Sequence, residues 1–300
     1  MSLDQLLASV ERSRRNQEAR TKNSNVEANA DPLHELVDNS VTKSHALSRA
    51  YYRFGLVEKR CMESLISKLH PLRSDNLQDI ELLATDYAKA FPDTGKHAYE
   101  HLASAVDALL NRVIIIHEKT GKVRKIPLMS EAVYEEKAGK ITASFNPKIV
   151  PHLIGMRERF SSYPLKQAVN FSSSYAWRFY ELLVSWAQPK KETNGAFMGW
   201  IDKQSVDELR QMLGVPDSYS WSKFEGQVLG AAITELREKA HIVVYLERIK
   251  TSRKITNLII KFIEDEQIPM PLSGGDLPKK QRKGKATGKV SNPHPASTTL

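Results

Sequence analysis

Apolar residues recur at helical spacing along much of the chain. The clearest run is SYAWRFYELLVSWAQ, residues 174–188, where large apolar side chains return every three or four positions until a proline ends the run. Two later helices carry capping signals at their starts, Ser205 with Glu208 and Ser222 with Glu225. The predicted helices cover residues 56–69, 85–91, 96–112, 151–160, 174–188, 206–213 and 222–239.

The pattern changes to β-branched runs at two places, each directly after a long helix. VIIIHEKTGKVRKIPL, residues 113–128, predicts a hairpin with a basic Thr-Gly turn, and HIVVYLERIKTSRKITNLIIKF, residues 241–262, predicts another. Further strands are predicted at about 140–145 and 197–201. The order helix, helix, hairpin therefore occurs twice, and this is the order of a winged helix.

The two long helices that precede the hairpins share apolar residues at an offset of 127 positions. Leu102, Ala105, Val106 and Leu109 correspond to Leu229, Ala232, Ile233 and Leu236. This internal repeat predicts an α+β fold of two tandem winged-helix (winged helix-turn-helix) domains with flexible N- and C-terminal tails. The expected division is a polar N-terminal segment, 1–39, a first winged-helix domain, 40–165, a second, 166–272, and a disordered basic tail, 273–300.

Charge and composition narrow the class of partner and the compartment. The net charge of +9 and the pI near 9.4 favour a polyanionic partner such as nucleic acid. The single cysteine, Cys61, excludes an internal disulfide framework and favours a reducing compartment. Since no apolar run is long enough to span a bilayer and the start lacks the pattern of a signal peptide, we expect a cytoplasmic protein without membrane contact.

The helix predicted at 222–239 has the two faces that a recognition helix in the major groove needs. Its apolar stripe consists of Phe224, Val228, Ala232 and Leu236. Its polar face, the expected DNA contact, consists of Ser222, Lys223, Gly226, Gln227, Gly230, Thr234 and Arg237. Lys223 and Gln227 are the expected base readers, because Lys donates to guanine and Gln pairs bidentately with adenine.

Gly226 and Gly230 lower the helix propensity of this segment by about 1 kcal/mol each relative to alanine. Two explanations stay open at this point, close approach of the helix backbone to DNA and close packing against another helix.

Basic residues surround the turns of both hairpins and are candidates for phosphate contacts, although charged turns are also common as plain solvated loops. In the second hairpin they are Arg248, Lys250, Arg253 and Lys254. In the first they are Lys119, Lys122, Arg124 and Lys125. The helix before the first hairpin presents a mixed, partly acidic face of His97, Glu100, His101, Ser104 and Asp107. We therefore expect the first domain to contact DNA less strongly than the second domain does, or to serve mainly in dimerisation.

Sequence motifs of catalysis are missing. There is no GxxxxGK[ST] phosphate loop, and no His-hydrophobic-His pair of the kind that holds the metal of a rolling-circle nickase. His97 and His101 lie one helical turn apart, a spacing compatible with a metal, but no third ligand is near them in sequence. We expect no catalytic residues, no cofactor and no metal site.

The same segments resemble the family of theta-type, iteron-binding plasmid replication initiators (Rep_3-like). The resemblance covers residues 40–265 and is carried by SRAYYRFGLVEKRCMESLISKL, TDYAKAF, AYEHLASAVDALLNR and ITASFNPKIVPHL in the first half, and by YAWRFYELLVSWAQ, VDELRQMLGV, KFEGQVLGAAITEL and SRKITNLIIKF in the second. It implies binding of iterons at a plasmid origin as a monomer, origin melting with the host DnaA initiator, and loading of the replicative helicase. It also implies autorepression at an operator as a homodimer joined through the first domain, and chaperones that monomerise the dimer.

The chain departs from the family pattern at Glu225, Gly226 and Gln227, where members often carry Arg or Lys. The predicted recognition helix is consequently almost neutral, and we expect the second hairpin to supply most of the positive charge.

An alternative function is a winged-helix transcriptional regulator without an origin role. Several direct repeats beside AT-rich DNA at the gene would favour initiation, and a lone inverted repeat would favour the regulator. A basic adaptor for membrane or RNA would instead show no sequence preference on duplex DNA.

Overall fold

The computed structural model describes residues 35–69, 79–118, 120–156, 159–188, 192 and 196–264. The tail predicted at 273–300 and most of the predicted N-terminal segment lie outside these ranges. The first half of the described chain contains β1 (Ser40–Ser44), α1 (His45–Ser48), α2 (Leu56–Ser67), β2 (Ile80–Leu83), α3 (Ala84–Ala90), α4 (Ala98–Leu110), β3 (Val113–His117), β4 (Val123–Pro127), β5 (Met129–Glu135), β6 (Lys140–Phe145) and β7 (Phe160–Pro164). Short 3-10 turns lie at Leu36–Asp38, Pro92–His97, Glu136–Ala138, Val150–His152 and Leu165–Gln167.

The second half contains α5 (Ser174–Trp186), β8 (Met198–Ser205), α6 (Val206–Met212), α7, β9 (Ile242–Thr251) and β10 (Lys254–Glu264). We give the name α7 to one continuous helix in three parts, Trp221–Lys223, the π-helical segment Phe224–Gly230, and Ala231–Ala240. His241 ends it in a left-handed conformation with φ of 55°.

Both halves share one topology. Each has a helix, a strand, two helices and a pair of strands, and in each the three strands form an antiparallel sheet in the order first, third, second. The sheets are β2-β6-β5 and β8-β10-β9. This arrangement is the winged helix, so the predicted α+β fold of two tandem winged-helix domains is confirmed.

The sheet topology corrects one assignment in the first half. Residues 113–127 form the predicted hairpin, but among the described strands β3 and β4 pair only with each other, apart from an isolated bridge between Tyr51 and Ile115. By strand order the wing of the first domain is β5–β6. Strand β5 escaped prediction because most of its side chains are exposed, so its sequence MSEAVYE lacks an apolar stripe.

The helix predicted at 151–160 is wrong. Among the described residues of this range the only helical element is the 3-10 turn Val150–His152, since Gly155 and Arg159 adopt positive φ angles of 69° and 55° that interrupt helical geometry. The following residues enter β7, which pairs antiparallel with β1. This pairing joins residues about 120 positions apart, a separation that local periodicity does not report.

Helix α5, the first helix of the second half, packs against elements of both halves. Most of its residues are buried, and it packs against α1, β7, β8 and α7. One continuous cluster of buried apolar side chains extends through both halves. Gly214, after α6, has φ of 68°, and a Cβ there would lie 2.6 Å from the carbonyl oxygen of Tyr52. The second half therefore meets the first at a point where only glycine fits.

Beneath this junction lies a buried ion network, which we define as Lys43, Lys59, Glu63, Arg178 and Glu181. Each side chain of the network is at most 4% exposed. Lys59 Nζ lies 2.6 Å from both Glu63 Oε1 and Glu181 Oε2, and Lys43 Nζ pairs with both carboxylates. Burial alone would raise the pKa of Glu181, but the cations around it hold that pKa well below its usual range.

Arg178 extends this network into both halves. Its Nη1 donates to Glu181 Oε2 at 2.9 Å, its Nη2 to the carbonyl of Ala50 at 2.7 Å, and its Nε to the carbonyl of Met212 at 3.0 Å. The guanidinium also lies 4.1 Å from the ring centroid of Tyr52. The Arg178 side chain thus forms hydrogen bonds both to the loop after α1 and to the end of α6.

Candidate nucleic-acid interface

The N-terminus of α7 is capped by a different serine from the one predicted. Ser220 precedes Trp221, and its Oγ accepts a hydrogen bond from the backbone N–H of Lys223 at 3.2 Å. The predicted capping box of Ser222 with Glu225 does not form, because α7 starts earlier and the Glu225 carboxylate has other partners. Ser205 does cap α6 as predicted, accepting from the N–H of Glu208 at 3.4 Å.

The two faces of α7 separate as the periodicity predicts. The apolar stripe residues Phe224, Val228, Ala232 and Leu236 are each at most 1% exposed. Every predicted polar-face residue of this helix is exposed, namely Ser222, Lys223, Gly226, Gln227, Gly230, Thr234 and Arg237. The helix therefore presents a long surface without large apolar side chains.

The two glycines of α7 have different structural roles. A Cβ at Gly226 would meet no atom within 4 Å, and its φ is not positive, so no packing or backbone constraint within the described protein calls for glycine there. At Gly230 a Cβ would lie 3.2 Å from the Glu225 carbonyl oxygen, a contact created by the π-helical turn. Of the two open explanations, helix packing is thus excluded for Gly226.

Lys223 lies beside the ring of Tyr219, with Nζ 3.7 Å from the ring centroid. This cation-π contact holds the ammonium group at the N-terminal end of α7. The predicted base reader Lys223 is therefore positioned before any ligand binds, whereas Gln227 projects from the exposed face one turn later.

The acidic residue in this face, Glu225, is bonded to the second hairpin. Its Oε1 accepts from Arg248 Nε at 2.6 Å, and its Oε2 accepts from Trp221 Nε1 at 3.0 Å. Arg248 is thus linked to α7, unlike the other cations of the hairpin. Sequence periodicity does not predict this contact, since it joins residues 23 positions apart in different elements.

The tip of the β9–β10 hairpin is strongly cationic. Lys250, Arg253 and Lys254 are exposed around a turn in which Ser252 has φ of 57°. Within the described part of the chain, none of these three side chains forms an ion pair. They form a positive cluster, without a described ion-pair partner, at the tip of the hairpin whose Arg248 contacts α7.

The described hairpin of the first half carries less unpaired positive charge. On the β3–β4 hairpin Lys122 and Lys125 are exposed, Arg124 pairs with Glu118, and Lys119 lies outside the described residues. The wing that topology assigns, β5–β6, carries Glu135 and Glu136 at its turn.

The exposed face of α4 is also partly occupied. Strand β5 packs beside α4, and Tyr134 donates a hydrogen bond to Asp107 Oδ1 at 2.6 Å. His97, Glu100 and Ser104 are exposed and His101 is half-buried. The described residues contain no group of three His, Cys, Asp or Glu side chains able to hold a metal. None of the helices in these ranges is both long and apolar enough to cross a membrane.

These features define a tandem winged-helix protein of the DNA-binding class. The model for WH1 of initiator replication proteins matches residues 40–184, and the model for WH2 matches residues 205–262. The chain belongs to this family of replication initiators.

Two known proteins are similar to this chain. The PI protein of Escherichia coli is 28% identical over 151 residues, which is 44% of this chain and 47% of that protein, so the match spans about half of each. The crystal structure of the Pi initiator protein in complex with iteron DNA superimposes with a TM-score of 0.60 at 21% identity, covering 76% of this chain and 98% of that one. At 21% identity, the similarity to the Pi crystal structure bears on the fold alone.

Proposed function

We propose that this chain initiates plasmid replication by binding directly repeated double-stranded DNA sites, iterons, with α7 in the major groove and the β9–β10 tip on neighbouring phosphates. The observation that carries this proposal is the combination of an exposed polar helix face with a cationic hairpin tip that forms no ion pair within the described residues. Membership of the initiator family and the likeness to Pi, which was solved with iteron DNA, support the same assignment.

The division of labour between the domains is part of the proposal. The second domain supplies the main DNA contacts, while the first serves in homodimer formation and makes secondary contacts. The family resemblance supports this division, and the described hairpin of the first half, where Arg124 is paired with Glu118, agrees with it. Family resemblance supports the remaining steps, which are origin melting with DnaA, helicase loading, chaperone-assisted monomerisation and autorepression by the dimer.

The direct test is a footprint of the full chain on the DNA adjoining its gene. Protection of several direct repeats, spaced by about 20 base pairs or two helical turns, beside an AT-rich stretch is the expected result. Protection of one inverted repeat alone would identify a transcriptional regulator without an origin role. Equal binding to all duplexes would contradict both functions.

Replacing Lys223 and Gln227 together by alanine is expected to lower the ratio of specific to non-specific affinity by roughly 30-fold or more, because each base contact is worth about 1 to 3 kcal/mol of discrimination. Competition binding with repeat and random duplexes measures this ratio. A Lys261→Ala variant is the charge-matched control, since Lys261 is exposed on β10 between two buried, core-facing neighbours, Ile260 and Phe262. An unchanged ratio in the double variant would remove α7 from base recognition.

The Gly226→Ala variant is expected to separate stability from binding. In open helical surface alanine should raise the free energy of unfolding by about 1 kcal/mol. The added methyl group should at the same time weaken binding to the repeat, because it lies where DNA is proposed to approach the helix backbone. Urea unfolding and duplex titration measure the two effects. Gly55→Ala, which also adds a methyl group to open space, should leave binding unchanged. Unchanged or tighter repeat binding by Gly226→Ala would contradict the close approach.

A further inference from the structure

The Arg248 side chain projects from the second hairpin toward α7, unlike the basic side chains at the hairpin tip. On β9 it lies opposite Leu258 of β10, and directly opposed residues of an antiparallel pair project from the same face of a sheet. Leu258 is only 1% exposed, so this is the face covered by the helices. The Arg248 side chain therefore leaves the sheet toward α7, and its contacts with Glu225 bear this out.

The contact with Glu225 uses one edge of the guanidinium. Nε and Nη2 of Arg248 lie 2.6 and 2.5 Å from the same carboxylate oxygen, Oε1, while Trp221 Nε1 holds Oε2 at 3.0 Å. The carboxylate is thus fixed from its own helix and fixes the arginine in turn. No described residue bonds to the remaining Nη1 group, and the Arg248 side chain stays 57% exposed.

An arginine held in this way is suited to a base rather than to a phosphate. The outer edge of the guanidinium, formed by Nη1 and the second N–H of Nη2, still offers two parallel donors, which match the O6 and N7 acceptors of guanine in the major groove. The neighbouring carboxylate cancels much of the positive charge that would attract a phosphate. Because the contact with Glu225 fixes the Arg248 side chain before DNA binds, less side-chain entropy is lost when Arg248 contacts a base.

Resting on the proposed docking of α7 in the major groove, we propose that Arg248 is a specificity-determining residue that reads one guanine of the repeat. Glu225 is its positioning residue. The neighbouring position, Gly226, has open space around it, so no side chain of its own keeps base edges from this part of the helix. Glu225, the acidic residue on the face of α7 proposed to meet DNA, thus contributes to base recognition by positioning Arg248.

The test uses the full chain, its footprinted repeat, a set of repeats in which each G·C pair is changed in turn to A·T, and a random duplex. Arg248→Ala is expected to lose roughly 10- to 100-fold of discrimination at one G·C position and to retain discrimination at the others. Arg248→Lys keeps the charge without the two parallel donors, so it should lose discrimination at the same position while non-specific binding persists. Glu225→Gln should reduce discrimination there and should not weaken non-specific binding.

Two results would overturn the inference. A uniform loss across all sequences in Arg248→Ala, with a shallower salt dependence, would make Arg248 a phosphate contact. Stronger and equally selective binding by Glu225→Gln would make Glu225 only a repulsive charge. If instead the unaltered chain shows no preference among duplexes, the proposed function fails and not this inference alone. Thermal unfolding of each variant checks its fold, and Arg248→Lys supplies the readout should Arg248→Ala be unfolded.

Discussion

Replacing Glu181 by alanine is expected to lower the free energy of unfolding by about 3 to 5 kcal/mol, since removal of one member of a buried ion pair leaves charge without compensation. Glu181 is 1% exposed and accepts contacts from Lys43, Lys59 and Arg178. Without it, Glu63 would be the only carboxylate among the described residues left to balance those three buried cations. Urea-induced unfolding followed by circular dichroism measures the change.

Two variants make this expectation specific to the buried charge. Glu181→Gln keeps the size of the side chain and removes its charge, so it should also be strongly destabilising. Glu247→Ala removes a carboxylate that is 65% exposed and lies 3.9 Å from Lys261, and it should change the stability by less than about 1 kcal/mol. A Glu181→Gln protein as stable as the parent would show that the network contributes nothing through charge.

The parts of the fold that the sequence predicts are those governed by local periodicity. The apolar stripe of α7 returns every four residues and is almost fully buried, and the strands of the β9–β10 hairpin are long β-branched runs on either side of a basic turn. Helix α5 likewise follows from its apolar spacing. Such elements carry their signal in neighbouring residues, so their type and approximate bounds can be inferred without tertiary information.

The parts that escape prediction depend on long-range contacts. Strand β1 becomes a strand by pairing with β7 across the sequence, and β5 joins a sheet although most of its side chains are exposed. The N-cap of α7 is Ser220, whose Oγ accepts from the Lys223 N–H, while Glu225 contacts Arg248 and Trp221 and closes no capping box with Ser222. The sequence does not predict the buried ion network either, because lysine and glutamate in helical sequences usually indicate solvent-exposed faces.

The cationic tip of the β9–β10 hairpin leads to the second large expected effect. Replacing Lys250, Arg253 and Lys254 together by alanine should reduce the slope of log K against log salt by about 2.7, that is about 0.9 for each phosphate that is no longer neutralised. At physiological salt this corresponds to roughly 100-fold weaker binding, to repeats and random duplexes alike. Titrations of the full chain against both duplexes over a range of salt concentrations measure slope and affinity together.

The reason to expect a uniform effect is that these three side chains are exposed around the turn and, within the described residues, form no ion pair with a carboxylate that could orient them toward a base edge. Exchanging each for the other basic residue, in Lys250→Arg, Arg253→Lys and Lys254→Arg, keeps the charge and should keep the slope. Lys261→Ala, on the outward face of the same sheet, should leave the slope unchanged. An unaltered slope in the alanine variant would show that the hairpin tip does not contact phosphates. A loss confined to the repeat would instead assign it to base recognition, the role that the geometry here gives to Arg248.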